Sequence, residues 1–124
     1  MAGQDSAKAS VFIVEDEAMI RMMVVDMLED LGYSVAAEVG DLDSALALSA
    51  TAVFDIAILD VNLNGRIILP VAEAIYARGL PMIFATGYGA HGLPDQFKDM
   101  PTLQKPFQMD NLAKAIETTL TAKK

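Results

Sequence analysis

Acidic, basic and hydroxyl residues stand where short apolar runs end. SVFIV leads into Glu15-Asp16-Glu17, DIAIL into Asp60, PMIFA into Thr86, and TLQ into Lys105. If these runs are strands of one parallel sheet, carboxylates from two strands, a hydroxyl and an ammonium meet at one rim. In open α/β sheets, ligands bind outside the carboxyl ends of the strands. Carboxylates pressed together resist joint ionisation. A hard divalent cation relieves this, and Mg²⁺ takes oxygen ligands while keeping some of its waters. Glu15, Asp16 and Asp60 contribute −3 and Lys105 contributes +1, and one Mg²⁺ neutralises the resulting −2. A metal beside an oxygen nucleophile, with an ammonium opposite, suits phosphoryl transfer, which needs positioning and charge neutralisation more than proton transfer. A carboxylate can itself be the nucleophile, giving an aspartyl phosphate. Asp60 is the best candidate. It ends the apolar run DIAILD, and the polar stretch after it, Val61 to Arg66, is expected to leave it accessible.

The elements that must position these residues are legible as alternation. The runs Ser10–Val14, Tyr33–Val39, Asp55–Leu59, Pro81–Ala85 and Thr102–Gln104 are rich in Val, Ile and Phe. They lack clean polar alternation, as strands covered on both faces do. Between them lie helical patterns. Glu17 to Leu31 carries Ile20, Val24, Met27, Leu28 and Leu31 at helical spacing, with Gly32 at the C-cap. Asp41 caps a helix through Ser49, with Leu42, Ala45 and Leu46 on one face. Ile67 to Arg78 places Ile68, Val71, Ala72 and Ile75 on one stripe, and Gly79 follows. Met109 to Thr121 has Leu112, Ile116 and Leu120 in register behind an Asp110 cap. Repeated strand–helix alternation implies an α/β fold, a five-stranded doubly wound parallel sheet with helices on both faces. Gly87 to Pro101 should hold the fourth of five helices. It contains Gly87, Gly89, Gly92, Pro94 and Pro101, so a short or irregular element is expected there.

A chain of 124 residues is one domain by length. The first nine residues read as a loose leader and 10–122 as the domain, with no separate output domain. Hydrophobic residues make up 53% and the mean hydropathy is +0.35, which excludes intrinsic disorder. A net charge of −8 argues against direct contact with nucleic acid or an anionic membrane. There is no cysteine, so disulfides and thiolate chemistry are excluded. With no apolar run of membrane-spanning length and no signal-like start, a cytoplasmic location is expected. His91, the single histidine, cannot make a zinc site alone and reads as a solvated loop residue. Asp26, Glu29 and Asp30 read as a solvated helix face. Asp16 and Glu17 could simply favour a helix start, and Thr86 could be a cap.

The pieces VEDE (Val14 to Glu17), LDVNLNG (Leu59 to Gly65), PMIFATGYG (Pro81 to Gly89) and LQKPF (Leu103 to Phe107) occur in order, with 26 residues from Asp60 to Thr86 and 19 more to Lys105. Together they resemble the receiver domain of two-component response regulators, from Ser10 to the end. FATGYG and PTLQKPF are similar to the single-domain alphaproteobacterial subgroup nicknamed for its "FAT GUY" motif. The resemblance implies a flavodoxin-like strand order, 2-1-3-4-5. It implies Asp60 as phosphoacceptor and Glu15, Asp16, Asp60 and the Asn62 backbone carbonyl as ligands of Mg²⁺, with Mn²⁺ able to substitute. Thr86 and Lys105 would engage the phosphoryl group, while Asn62 and Tyr88 would tune its hydrolysis or the switch. It implies docking of a sensor histidine kinase, of the HWE class among others, or of a histidine phosphotransfer protein. Met19, Met23, Pro106 and Phe107 would form that surface. The implied activity is self-phosphorylation and autodephosphorylation rather than turnover of an outside substrate. The chain departs from the common pattern at Thr102, where many receivers carry Tyr or Phe. Tyr88 is the nearest aromatic that could respond instead. A pseudo-receiver that only binds partners is the main rival. An aspartate-dependent phosphatase of the haloacid-dehalogenase type usually has a second aspartate two residues on, where this chain has Asn62. A flavodoxin-like cofactor binder would have a glycine-rich phosphate loop where Glu15-Asp16-Glu17 stands.

Overall fold

The computed structural model describes residues 9–63, 66–87, 97 and 100–122. In chain order these form β1 (Ser10–Val14), α1 (Ala18–Asp30), β2 (Ser34–Val39), α2 (Leu42–Thr51), β3 (Ile56–Asp60), β4 (Asn62–Leu63), β5 (Arg66–Ile67), α3 (Leu69–Ala77), β6 (Met82–Thr86), β7 (Thr102–Gln104) and α4 (Met109–Ala122). The main sheet runs β2-β1-β3-β6-β7, and every pairing in it is parallel. Numbering only its five strands, that order is 2-1-3-4-5, the flavodoxin-like arrangement. The order reverses between β1 and β3, so the crevice lies at their carboxyl ends.

Two cores sandwich the sheet, because successive strand residues face opposite sides. Val11, Ile13, Ile56, Ile58 and Ile83 pack with Val24 and Leu28 of α1 and Leu112 and Ile116 of α4. Phe12, Val14, Ala57, Leu59 and Phe84 pack with Ala45 of α2 and Val71 and Ile75 of α3. The central strands β3 and β6 are buried throughout. The edge strands differ from expectation. β2 alternates exposed and half-buried residues, and in β7 only Leu103 is buried. An edge strand is covered less completely than a central one, so alternation returns there. One residue is bulged from β2, where Val11 pairs with Val35 but Phe12 with Ala37.

The helix ends follow local chemistry. Asp41 accepts from the Ser44 amide at 2.8 Å, as a cap should. Gly32 (φ 93°) and Gly79 (φ 75°) close α1 and α3, where left-handed backbone suits glycine. At both ends the paired C-terminal bonds are present: Tyr33 N–H to Leu28 and Gly32 N–H to Glu29, then Leu80 N–H to Ile75 and Gly79 N–H to Tyr76. Asp110 is not the cap of α4. It lies inside the first turn, and Asn111 Oδ1 reaches back to accept from the Gln108 amide at 3.0 Å. Arg78 ties α3 to α2 by donating to the carbonyls of Ser49 and Ala52. Asp26, Glu29 and Asp30 are exposed, as their reading as a solvated face requires.

The stretch after Asp60 is not simply polar loop. Asn62 and Leu63 pair antiparallel with Ile67 and Arg66, and Val61 and Leu63 are buried. Most of the segment expected to hold a short or irregular fourth helix lies outside the described residues. So do Tyr88 and His91. Phe97 is buried against Phe84 and Tyr76. Among the described residues, no helix is long and apolar enough to cross a membrane.

Candidate functional site

The carboxyl ends of β1 and β3 lie side by side, with Val14 paired to Leu59. Glu15 follows Val14 directly, and Asp60 is the last residue of β3. Ligand oxygens of Glu15, Asp16 and Asp60 all lie within 4.8 Å of one another. Lys105 enters from the far side. Its amide donates to the Thr86 carbonyl at 2.8 Å, which ties it to the end of β6, and its peptide bond to Pro106 is cis. The ammonium stands 2.9 Å from Glu15 Oε1 and 3.3 Å from Asp60 Oδ2. The second Glu15 oxygen, Oε2, accepts from the Glu17 amide at 3.1 Å. Thr86 ends β6 beside Asp60, whose strand partner is Ala85.

Burial gives this cluster its character. Glu15 is 4% exposed, Asp60 5% and Thr86 3%. Asp60 is therefore less accessible than a following polar loop would make it, because Val61 and Leu63 are core residues. Three carboxylates with one ammonium leave a net negative, oxygen-lined crevice. That donor set fits a hard divalent cation such as Mg²⁺, which takes oxygen ligands and keeps some of its waters. Glu17, which could simply have favoured the helix start, has an exposed side chain, but its amide donates to Glu15 Oε2.

Burial alone would lower the Lys105 pKa. The hydrogen bond to Glu15 and the charges of Asp60 and Glu15 outweigh it and hold the ammonium above its ordinary 10.5. Tyr33 is also raised from 10.0, by burial and then by Glu117. A raised folded-state pKa gives stability that is complete below the unfolded value and lost as pH rises through the folded one. Stability should therefore be flat from about pH 8 to about 10 and fall above that as both groups titrate. Urea midpoints measured across this range check the expectation, and an unchanged midpoint above pH 10.5 would contradict it.

The residues expected to dock a partner divide. Met19 is 85% exposed, and Met22 and Met23 are exposed beside it. Phe107 is 7% exposed and belongs to the core under α4, while Pro106 is exposed. A depression of about 270 Å³ lies next to the acidic cluster, lined by Glu17, Ile20, Met23, Lys105, Pro106 and Phe107.

Residues 11–117 match the family described as "Response regulator receiver domain". The chain belongs to that family. Two neighbours of this receiver domain agree with the subgroup resemblance. The solution structure of SdrG from Sphingomonas melonis Fr1 is 46% identical, covers 93% of this chain and 98% of its own, and superposes with a TM-score of 0.81. The receiver domain of the PhyR response regulator from Erythrobacter litoralis is 26% identical, covers 93% and 92%, and gives a TM-score of 0.80. The transcriptional regulatory protein PdtaR of Mycobacterium tuberculosis is 33% identical over 115 residues, which is 90% of this chain and 56% of PdtaR. The receiver domain thus spans about half the length of that relative. Receiver domains are signalling domains that switch on phosphorylation, bind Mg²⁺ in an acidic pocket, and meet histidine kinases or phosphotransfer proteins.

Proposed function

We propose that this receiver domain accepts a phosphoryl group on Asp60 from a histidine kinase or a histidine phosphotransfer protein, and that the modification changes which partner it binds. The observation that carries the reading is Asp60 at the end of the central strand, with Lys105 Nζ at 3.3 Å and the carboxylates of Glu15 and Asp16 beside it. In the transfer, an Asp60 carboxylate oxygen forms a bond to phosphorus while the P–N bond of the donor phosphohistidine breaks. The imidazole nitrogen keeps that electron pair.

Glu15, Asp16, Asp60 and the Asn62 main-chain carbonyl would hold Mg²⁺, which when bound neutralises charge on the carboxylates and the incoming group. Lys105 exchanges part of its pairing with the carboxylates for a phosphoryl oxygen. The Thr86 hydroxyl supplies a donor to another. Asn62 and Tyr88 would influence how long the acyl phosphate survives. The three exposed methionines of α1 and the depression in front of Lys105 offer a soft, adaptable face for the donor protein next to the acceptor. Both an acceptor carboxylate and a charge-neutralising set are present, which favours this reading over a pseudo-receiver. Asn62, two residues after the acceptor, disfavours the phosphatase reading.

Beryllofluoride with Mg²⁺ tests the reading, since it mimics a phosphoryl group on a carboxylate. SdrG has a solution structure described as its BeF3-activated conformation. In this chain the amide resonances of Asp60, Thr86 and Lys105 should move when both reagents are present and return on addition of EDTA. Unmoved resonances would sink the proposal.

A further inference from the structure

The carbonyl of Glu15 lies one residue beyond the last β1–β3 pair, Val14 with Leu59. Its own amide still bonds forward to Val39 at 3.0 Å. A carbonyl past the end of a ladder needs a donor from elsewhere. Arg21, one turn into α1, supplies it: Nη1 donates to Glu15 O at 2.6 Å. The same guanidinium meets Glu38 of β2 through Nε at 3.3 Å. Gly40 leaves the space for it. A Cβ there would stand 2.5 Å from Arg21 Nη1 and 3.3 Å from Glu15 O.

The geometry points to Arg21 as a positioning residue for the cation site, fixing the Glu15–Asp16 peptide so that the two carboxylates meet Asp60. That peptide joins the two acidic residues of β1's end, so its orientation sets where both side chains leave the backbone. A charge-assisted bond to a carbonyl is about twice as strong as a neutral one. A site of this kind tolerates about 0.5 Å of misplacement before it weakens. Gly40 works with Arg21 as the vacancy that lets the guanidinium approach. The ion pair with Glu38 is the lesser half, because exposed pairs contribute little.

The inference rests on the cation-site reading above, and electrostatics gives it a sign that discriminates. Removing a positive charge near three carboxylates should by itself tighten Mg²⁺ binding. A lost clamp should weaken it. Mg²⁺ titrations followed by amide resonances of the labelled full chain read the affinity. Arg21→Gln should bind Mg²⁺ about tenfold more weakly, as loss of a supporting contact does. Gly40→Ala keeps the charge, displaces the far end of the Arg21 side chain and crowds the Glu15 carbonyl at 3.3 Å, so it should weaken binding in the same direction. Glu38→Gln should stay within about twofold. In metal-free protein, the Asp16 amide resonance should move in Arg21→Gln and Gly40→Ala and stay in place in Glu38→Gln. Unchanged or tighter Mg²⁺ binding in either of the first two variants overturns the inference. A wild-type chain that binds no Mg²⁺ overturns the cation site instead, and the metal-free Asp16 resonance then decides alone whether Arg21 orients the peptide.

Discussion

Asp60→Asn should abolish phosphoryl incorporation from acetyl phosphate while leaving the fold intact. The substitution is nearly isosteric and removes both the nucleophilic oxygen and one unit of charge. Lys105 loses its 3.3 Å partner but keeps the 2.9 Å bond to Glu15. Repulsion between the neighbouring carboxylates falls at the same time, because Asp60 no longer ionises. These terms oppose each other, so stability should change by about 1 kcal/mol or less, within the ordinary range of a single substitution. Intact-mass measurement reads the incorporation, and urea unfolding reads the stability. Undiminished incorporation in Asp60→Asn would move the acceptor elsewhere.

Lys105→Met should separate the two uses of the ammonium. Without it, Glu15 and Asp60 face each other at 4% and 5% exposure with no cation between them. Breaking a buried ion pair by removing one partner costs about 3 kcal/mol or more. Partial exposure of the Lys105 side chain puts the expected loss at the lower end, read as a fall in the urea midpoint in EDTA. Saturating Mg²⁺ should return most of it, since a ligand at a hundred times its Kd contributes about 2.7 kcal/mol. Mg²⁺ binding itself should tighten, because the crevice gains a unit of negative charge. Phosphorylation should nevertheless slow by about a hundredfold, the usual effect of removing one electrostatic donor aimed at developing charge. A variant equally unstable with and without Mg²⁺ would contradict a common carboxylate cluster.

Lys105 and Arg21 are both cations near the same carboxylates. Lys105 touches carboxylate oxygens, and its loss should strengthen metal binding. Arg21 touches a backbone carbonyl, and its loss should weaken it. Charge alone predicts one sign for both.

The main sheet was legible because its central strands are buried on both faces and so are written as unbroken apolar runs, residues 56–59 and 82–85. The ends of those runs carried the candidate site. Shorter features were not legible. β4 and β5 are two residues each, too short for any period to register. The α4 cap was misplaced because Asp110 is a good cap former by type but lies inside the first turn, and it is Asn111 whose side chain reaches back to the Gln108 amide ahead of the helix. Phe107 read as docking surface on resemblance; its side chain is largely buried in the α4 core and lines the depression beside Lys105 only through what remains exposed, a division that sequence does not show. Arg21 left no signal, since its partner is a carbonyl that every residue type possesses. Sequence spacing names the charged groups. It does not say which backbone atoms hold them.

The most direct measurement is the location of the phosphoryl group. The chain is incubated with acetyl phosphate and Mg²⁺, the acyl phosphate is reduced with borohydride, and peptides are mapped by mass spectrometry. The account predicts reduction of one carboxylate only, Asp60, with none in EDTA. Labelling at Glu15, at Asp16 or at a surface carboxylate, or labelling that ignores Mg²⁺, would contradict it.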